Sequence, residues 1–249
     1  DRGTIEVFGE KVKYGQTNTN RHIGYLPDVP AFYEYMTAME YLSLCGSITG
    51  LTKKETLNKS EELLALVGLN QTKKKISCFS RGMKQRLGIV QALLNSPKLL
   101  ICDEPTSALD PIGRREILDI MDRIKEKTTI LFSTHILSDV EAICKHVVIL
   151  NEGKNALSGS IDSLKRMERT HEIMIRFKSV DELNKFKGID TISKSTVIQK
   201  ENILSFTSKN FEYDKKNILY ELYNANIFPL ELSLKEPSLE SIFMEVTKS

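Results

Sequence analysis

The stretch KLLICDEPTSAL at residues 98–109 ends an apolar run with two adjacent carboxylates. Leu99–Cys102 has the length and composition of a short buried strand. Asp103 and Glu104 follow it, and Pro105 cannot continue the strand. Two negative charges at this point indicate a metal or proton-transfer site, although turn formation alone explains an isolated Asp-Glu pair. The surrounding sequence has to decide between these two interpretations.

Helices and short β-rich runs alternate around this strand. The pattern predicts a helix at 81–95, a strand at 99–102, a helix at 113–125, a strand at 129–133, a helix at 137–144 and a strand at 146–150. This alternation is typical of a parallel sheet covered by helices. We therefore expect an α/β fold in which Asp103 emerges at the carboxyl end of a parallel strand, where open α/β sheets bind ligands.

The rest of the chain predicts a helical region and a second domain. Residues 1–14 read as short antiparallel strands before a polar loop at 15–20, residues 22–27 as a strand, and about 37–97 as a helical subdomain. After a hairpin turn at 151–154 and a helix at 161–167, the order becomes β-α-β-β-α-β. We predict one domain at 1–159 and a small α+β accessory domain at 160–249, ferredoxin-like in its order of elements.

Composition excludes several classes of protein. The 249 residues include 41% hydrophobic residues, enough for a sizeable core, and 35 basic against 33 acidic residues give a formal net charge of +2. Because the basic and acidic residues nearly cancel, the sequence predicts no strong electrostatic attraction to nucleic acid. The four cysteines are widely spaced, which indicates neither a disulfide framework nor a zinc site. No apolar run approaches the roughly 18 residues that span a bilayer.

A second feature lies at the start of the helix predicted at 81–95. Its apolar residues recur at helical spacing, at Met83, Leu87, Val90 and Leu94. Ser80 and Gly82 at its amino end leave backbone N–H groups open to an anion, at the positive end of the helix dipole. The simpler alternative is that Ser80 only caps the helix.

Two further residues follow at short intervals. TTILFSTH ends the next β-rich run with His135, which is either a ligand of a terminal phosphate or a structural histidine. Asp110 either caps the helix at 113–125 or acts across an interface. Each signal is weak when isolated, but their order and spacing are specific.

In this order, the sequence resembles the ATP-binding subunits of ABC transporters from residue 1 to about 159. FSRGM at 79–83 is similar to the signature loop of that family, LLICDE at 99–104 to Walker B, SALD at 107–110 to the D-loop, and STH at 133–135 to the switch histidine. The resemblance implies a P-loop NTPase fold of the ABC type, with ATP and Mg²⁺ as ligands. It also implies that two such subunits, as a homodimer or heterodimer, enclose two ATP molecules.

The resemblance also assigns roles to residues. Asp103 would hold the magnesium ion, Glu104 would be the catalytic carboxylate, and His135 would sense the γ-phosphate. Ser80, Arg81, Gly82 and Asp110 would contact nucleotide held by the opposite subunit.

Two departures from the family pattern stand out. Asp28 occupies the position that is usually glutamine in the Q-loop segment at 23–42, so it is either a magnesium contact or a solvated loop residue. In addition, no G-x-x-x-x-G-K motif followed by Ser or Thr exists in the sequence, and Gly153-Lys154 lacks the preceding glycine. We expect that an amino-terminal truncation, before or after the Walker A helix, has removed the first strand and the P-loop. This chain would then be inactive by itself.

The tail EPSLESIF at 236–243 resembles ATP-binding subunits of ABC-2-type exporters of peptides, antibiotics and other drugs. This implies docking of residues 32–44 on an integral membrane permease, at the cytoplasmic face of the membrane. A soluble ABC-type ATPase acting in translation or DNA maintenance is the alternative, and a fragment that only binds partners is a third. The near-neutral charge argues against nucleic acid as a partner.

Overall fold

In a computed structural model, the chain forms two compact units, Asp1–Ile143 and Cys144–Ser249. The structure describes residues 3–15, 18–167, 171–187, 197–208, 211–235 and 238–248. The predicted loop at 15–20 and the tail segment at 236–243 therefore fall partly outside the described residues.

The first unit contains five strands and five helices in its described residues. They are β1 (Glu6–Val7), β2 (Glu10–Lys11), β3 (Ile23–Leu26), α1 (Ala38–Ile48), α2 (Lys53–Leu66), α3 (Arg81–Leu93), β4 (Leu99–Asp103), α4 (Pro111–Ile124), β5 (Thr129–Ser133) and α5 (Leu137–Ile143). Short 3-10 turns lie at Asn18–His22 and Ile76–Cys78. These elements agree with the alternation predicted from the sequence to within a few residues.

A three-stranded parallel sheet in the order β3-β4-β5 forms the centre of this unit. Leu26 pairs with Cys102, and Asp103 pairs with Ser133, so the three strands end at the same edge. Leu100 and Cys102 are buried in the core. Cys102, immediately before Asp103, is 1% exposed, and this burial raises the pKa of its thiol to about 12.

Helix α3 contributes the predicted apolar face to the same core. Leu87, Val90 and Leu94 are buried, and Met83 is partly buried against the cluster. The close approach of β3 to this helix requires a glycine. A Cβ at Gly24 would lie 2.3 Å from the Ala92 carbonyl oxygen.

Capping boxes define the starts of α1 and α2 within the predicted helical region. Thr37 and Thr52 each accept a hydrogen bond from the third helical residue, Glu40 or Glu55, whose side chain bonds back to the cap. The Thr37 backbone N–H lowers the pKa of Glu40, and the Thr52 hydroxyl lowers the pKa of Glu55. These reciprocal bonds explain why α1 begins at the start of the predicted helical region and why α2 begins at Lys53.

The second unit contains a hairpin and a four-stranded sheet in its described residues. Its elements are β6 (His146–Asn151), β7 (Lys154–Ser160), α6 (Ile161–Met167), β8 (His171–Arg176), α7 (Val180–Lys187), β9 (Val197–Lys200), β10 (Ile203–Ser208), α8 (Phe211–Asn224), β11 (Glu231–Lys235) and α9 (Leu239–Lys248). From β8 to β11, the order is the β-α-β-β-α-β order expected from the sequence.

The antiparallel sheet has the strand order β11-β8-β10-β9, in which the fourth strand lies beside the first. This is the arrangement of a ferredoxin-like sheet. Its core includes Ile175, Phe177, Leu183, Phe186 and Leu204, from two strands, α7 and the residue after β8. The domain boundary at 159/160 stays a prediction.

Strand β6 differs from the sequence-based expectation. The alternation placed it in the parallel sheet, but it pairs antiparallel with β7, in agreement with the hairpin turn predicted at 151–154. Glu152 and Gly153 both have positive φ, 50° and 74°, as a tight hairpin turn requires. A connection this short can join only antiparallel neighbours, since parallel strands need a long crossover.

Helices suited to a bilayer are absent from the described ranges. None of the helices there combines the length and the apolar character that crossing a membrane requires.

Candidate functional site at the carboxyl edge of the parallel sheet

The candidate site lies where β4 and β5 end side by side. Asp103 is the last residue of β4 and is exposed, and Ser133 is the last residue of β5. The Ser133 hydroxyl donates a hydrogen bond of 2.7 Å to Oδ1 of Asp103. The carboxylate is therefore held in one orientation at an open edge of the sheet.

The backbone at Glu104 is unusual. Its φ is +45°, a left-handed conformation that is uncommon for a residue with a Cβ. Its N–H donates to the Ser133 carbonyl at 3.0 Å, and its own carbonyl accepts from the Ser107 N–H at 3.0 Å. The chain thus leaves the strand in a tight turn, and such strain persists only where surrounding contacts hold it.

This turn brings the Glu104 side chain to the residues that follow β5. Oε1 accepts a hydrogen bond of 3.1 Å from the His135 backbone N–H and lies 2.9 Å from Nδ1 of the same residue. Oε2 accepts from the Thr134 hydroxyl at 3.3 Å. The Glu104 side chain is 25% exposed and the His135 ring is 72% exposed. The partly buried Glu104 carboxylate and the exposed His135 imidazole therefore form a hydrogen-bonded pair.

Sequence reasoning named Asp103, Glu104 and His135 but missed the groups that orient them. Ser133 and Thr134 belong to the STH stretch, yet only its histidine was considered. Hydroxyl residues at the end of the strand that pairs with β4 were the available signal. They fix both carboxylates by hydrogen bonds that do not require a charge.

The start of α3 is accessible but locally satisfied. Ser80 is exposed, and its hydroxyl accepts a hydrogen bond of 3.2 Å from the Met83 N–H as the helix N-cap. Gly82 is half-buried with open space around it, since a Cβ added there would meet only Cδ2 of Leu109, at 3.9 Å. The capping alternative is thus what the structure contains, and the remaining N–H groups of this first turn keep their capacity to bind an anion.

Asp28 lies two residues beyond β3 and faces Arg81. Nη2 of Arg81 is 3.7 Å from Oδ1 of Asp28, too long for a hydrogen bond. That oxygen is buried, and within the described part of the chain it accepts no hydrogen bond. The cation nearest to this oxygen is the Arg81 guanidinium, and the magnesium role of Asp28 stays a prediction.

Asp110 is the N-cap of α4. Its Oδ1 accepts a hydrogen bond of 3.0 Å from the Gly113 N–H, and Pro111 occupies the first helical position. Of the two alternatives from the sequence, the structure contains the cap. Asp110 is exposed and therefore accessible to a partner, and its role across an interface stays a prediction.

No larger metal-binding cluster exists in the described ranges. The structure contains no group there of three or more His, Cys, Asp or Glu side chains arranged for a metal ion.

Comparison with known families supports this arrangement of motifs. Residues 1–107 match the ABC transporter family, and residues 159–247 match the family described as ATP-binding protein DrrA1-3-like, C-terminal domain. The first match includes Asp103 and Glu104 but ends before His135, and the second covers the antiparallel sheet.

Individual relatives agree with the family match. The chain is 46% identical over 177 residues to the uncharacterised ABC transporter ATP-binding protein YxlF of Bacillus subtilis, covering 71% of this chain and 58% of the relative. It is 36% identical over 250 residues to the bacitracin transport ATP-binding protein BcrA of Bacillus licheniformis, covering 98% of this chain and 79% of the relative. The chain thus spans less than two thirds of the length of YxlF.

A solved structure shares both fold and sequence. It is described as the structure of an ATP binding subunit of an ABC transporter, with a TM-score of 0.59 and 36% identity, covering 67% of this chain and 70% of that chain. At 36% identity, the similarity indicates a common family as well as a common fold. The chain belongs to the family of ABC transporter ATP-binding proteins.

Proposed function

We propose that the carboxyl edge of the parallel sheet in this chain is part of the catalytic site of an ABC transporter ATPase, which converts ATP and water to ADP and phosphate. One observation carries the proposal: Glu104 is held 2.9 Å from His135, next to Asp103 at the end of β4. In an α/β sheet, this edge is the usual place for a nucleotide.

Asp103 fits a magnesium ion that arrives with ATP. Its Oδ1 is occupied by Ser133, and in the described residues Oδ2 has no hydrogen-bond donor. Mg²⁺ typically binds one or two carboxylates together with phosphate oxygens and waters, so one well-oriented carboxylate is sufficient. When bound, the ion would neutralise charge on the phosphates.

Glu104 is placed to accept a proton from an attacking water molecule. As that proton moves to the carboxylate, the water oxygen bonds to the γ-phosphorus and the bond to the bridging oxygen of ADP breaks. His135 donates to Glu104 through its backbone N–H and lies within reach through Nδ1. In the neutral ring only one nitrogen carries a hydrogen, so either Nδ1 donates to Glu104 or the exposed Nε2 donates to a phosphate oxygen, and only the imidazolium does both.

Hydrolysis also needs a phosphate-binding loop, and the sequence of this chain contains none. The proposal therefore concerns the chain within a protein that carries such a loop. In a pair of these proteins, Ser80, Arg81, Gly82 and Asp110 would contact ATP held by the opposite copy. The exposure of Ser80, Arg81 and Asp110 supports this assignment.

The first test compares Mg·ATP binding and turnover by this chain with those of the intact protein, including its phosphate-binding loop. We expect binding and hydrolysis only for the intact protein, because the loop provides the backbone N–H groups and the lysine that hold the phosphates. Isothermal titration and phosphate release measure the two properties. Equal ATP affinity for both proteins would mean that another segment of this chain binds the phosphates.

Export of a peptide antibiotic or other drug is the transport process that we propose. BcrA, a relative whose match covers 98% of this chain, is described as a bacitracin transport ATP-binding protein, and the C-terminal match is to DrrA1-3-like proteins. Both favour a transporter over an ATPase of translation or DNA maintenance. The partner would be an integral membrane permease, with the ATPase on its cytoplasmic face.

The loop between β3 and α1 supports a protein partner. Val29, Tyr33 and Tyr35 are 69%, 54% and 66% exposed. The Tyr33 ring lies 6.0 Å from that of Tyr35, so the aromatic side chains form one patch. Exposed apolar patches of this kind often mark protein interfaces. We assign this patch, Val29–Tyr35, to the permease.

Replacement of Tyr35 by Asp should reduce the amount of intact protein that copurifies with its membrane permease by about tenfold, because a charge cannot be desolvated in an apolar contact. The matched control is Tyr220→Asp on α8, a tyrosine that is 65% exposed. ATP binding by the protein purified without the permease should not change. Equal retention of both variants by the membrane fraction would contradict the assignment.

A further inference from the structure

A buried ionic network lies beside the candidate site and joins three elements. Asp139 on α5 is 1% exposed. Its Oδ2 accepts a hydrogen bond of 2.6 Å from the Thr106 hydroxyl, and its Oδ1 accepts one of 2.6 Å from Nε of Arg114 on α4. Nη2 of Arg114 also donates to the Ser138 hydroxyl at 2.6 Å. Both oxygens of a buried carboxylate are therefore satisfied by side chains from two other segments.

The network is connected to both members of the Glu104–His135 pair. Thr106 lies in the turn that Glu104 opens, which is closed by the Ser107 N–H donating to the Glu104 carbonyl at 3.0 Å. Asp139 lies four residues after His135, and its N–H donates to the Ile136 carbonyl at 3.0 Å. The Thr106–Asp139 bond thus links the turn after β4 to the segment after β5.

Such a link is needed because the turn is strained. Glu104 has a φ of +45°, and a residue in this conformation relaxes unless its neighbours hold it. Hydrogen bonds to a buried, ionised carboxylate are short and strong, and together they rigidify the groups they join. The network provides this constraint without contacting the exposed edge where a ligand would bind.

We propose that Thr106, Asp139 and Arg114 are positioning residues that hold the Glu104 carboxylate against His135. The expected effect on hydrolysis rests on the proposed function. The expected effect on the position of the Glu104 carboxylate does not. Without the network, the turn at 104–107 samples conformations in which Oε1 has lost its two contacts with His135. Hydrolysis slows in those conformations, whereas the surface that binds nucleotide is unchanged.

The test uses Thr106→Val in the intact protein, with Thr128→Val as its matched control. Each change removes one buried hydroxyl and retains a branched side chain. Thr128 donates at 3.1 Å to the Pro97 carbonyl, at the other end of the parallel strands. We expect Thr106→Val to lower kcat by roughly 10- to 100-fold with KM nearly unchanged. Thr106→Ser, which keeps the hydroxyl, should restore kcat.

Amide hydrogen exchange on the same variants, without nucleotide, tests the structural part by itself. The His135 N–H donates to Glu104, so its exchange should become about tenfold faster in Thr106→Val and stay unchanged in Thr128→Val. Arg114→Lys should act in the same direction, because lysine keeps the charge but lacks the planar fork of donors. If Thr106→Val does not fold, Arg114→Lys is used in its place for both measurements.

Two results overturn the inference. The first is equal effects of Thr106→Val and Thr128→Val. The second is a raised KM in Thr106→Val with unchanged kcat and unchanged exchange at His135. If the wild-type protein hydrolyses no ATP, the proposed function fails, and the exchange rate of the His135 amide then decides the positioning role independently.

Discussion

Replacement of Glu104 by Gln should lower steady-state ATP turnover of the intact protein by about 10²- to 10⁴-fold, the usual contribution of a general base. Glutamine has nearly the same shape, and its amide oxygen can still accept the 3.1 Å bond from the His135 N–H. It cannot take a proton from water. ATP should therefore bind, and a closed pair of subunits should accumulate with ATP enclosed.

The control is Glu126→Gln, the same change at an exposed glutamate after α4. Phosphate release measures turnover, and size-exclusion chromatography with ATP measures the trapped pair. Wild-type turnover in Glu104→Gln would remove Glu104 from the reaction. Loss of ATP binding in that variant would instead assign the carboxylate to nucleotide or metal binding.

The second large effect concerns stability. Gly24→Ala should lower the free energy of unfolding of the first unit by about 3 kcal/mol, the upper part of the range for overpacking a core. The added Cβ would lie 2.3 Å from the Ala92 carbonyl oxygen and 3.0 Å from Cγ of Pro97. A backbone oxygen cannot rotate away as a side chain can, so β3 and α3 must separate.

Gly82→Ala is the matched control, since the only close atom is Cδ2 of Leu109 at 3.9 Å. Alanine there also favours the helix. Thermal unfolding should show a midpoint about 6–12 °C lower for Gly24→Ala and no loss for Gly82→Ala. Identical midpoints for Gly24→Ala and wild type would mean that β3 and α3 are packed less closely than the structure places them.

Local patterns in the sequence were sufficient for most of the elements. Apolar spacing on α3, the run before Asp103 and the order from β8 to β11 each depend on neighbours in the chain, and the structure contains them. Periodicity does not identify a strand's partner, so the alternation placed β6 in the wrong sheet, whereas the hairpin turn predicted at 151–154 indicated its actual antiparallel partner, β7. The turn at Glu152-Gly153 decided that pairing.

The candidate site was predictable as a set of residues but not as an arrangement. Asp103, Glu104 and His135 stand out by their order in the chain. Their contacts bridge a separation of 31 residues, and no local pattern specifies which carboxylate oxygen meets which donor. Ser80 and Asp110 illustrate the same limit, because a cap and a ligand contact require the same residue types.

By itself, the sequence determined the α/β class, the parallel strand ending in two carboxylates, and the family to which the chain belongs, because these depend on periodicity and motif order. Only the tertiary structure decided that Glu104 turns toward His135 and that Thr106, Arg114 and Asp139 meet in a buried network. The reason is physical: hydrogen bonds of about 3 Å need the register of paired strands and the packing of helices before their partners come within reach.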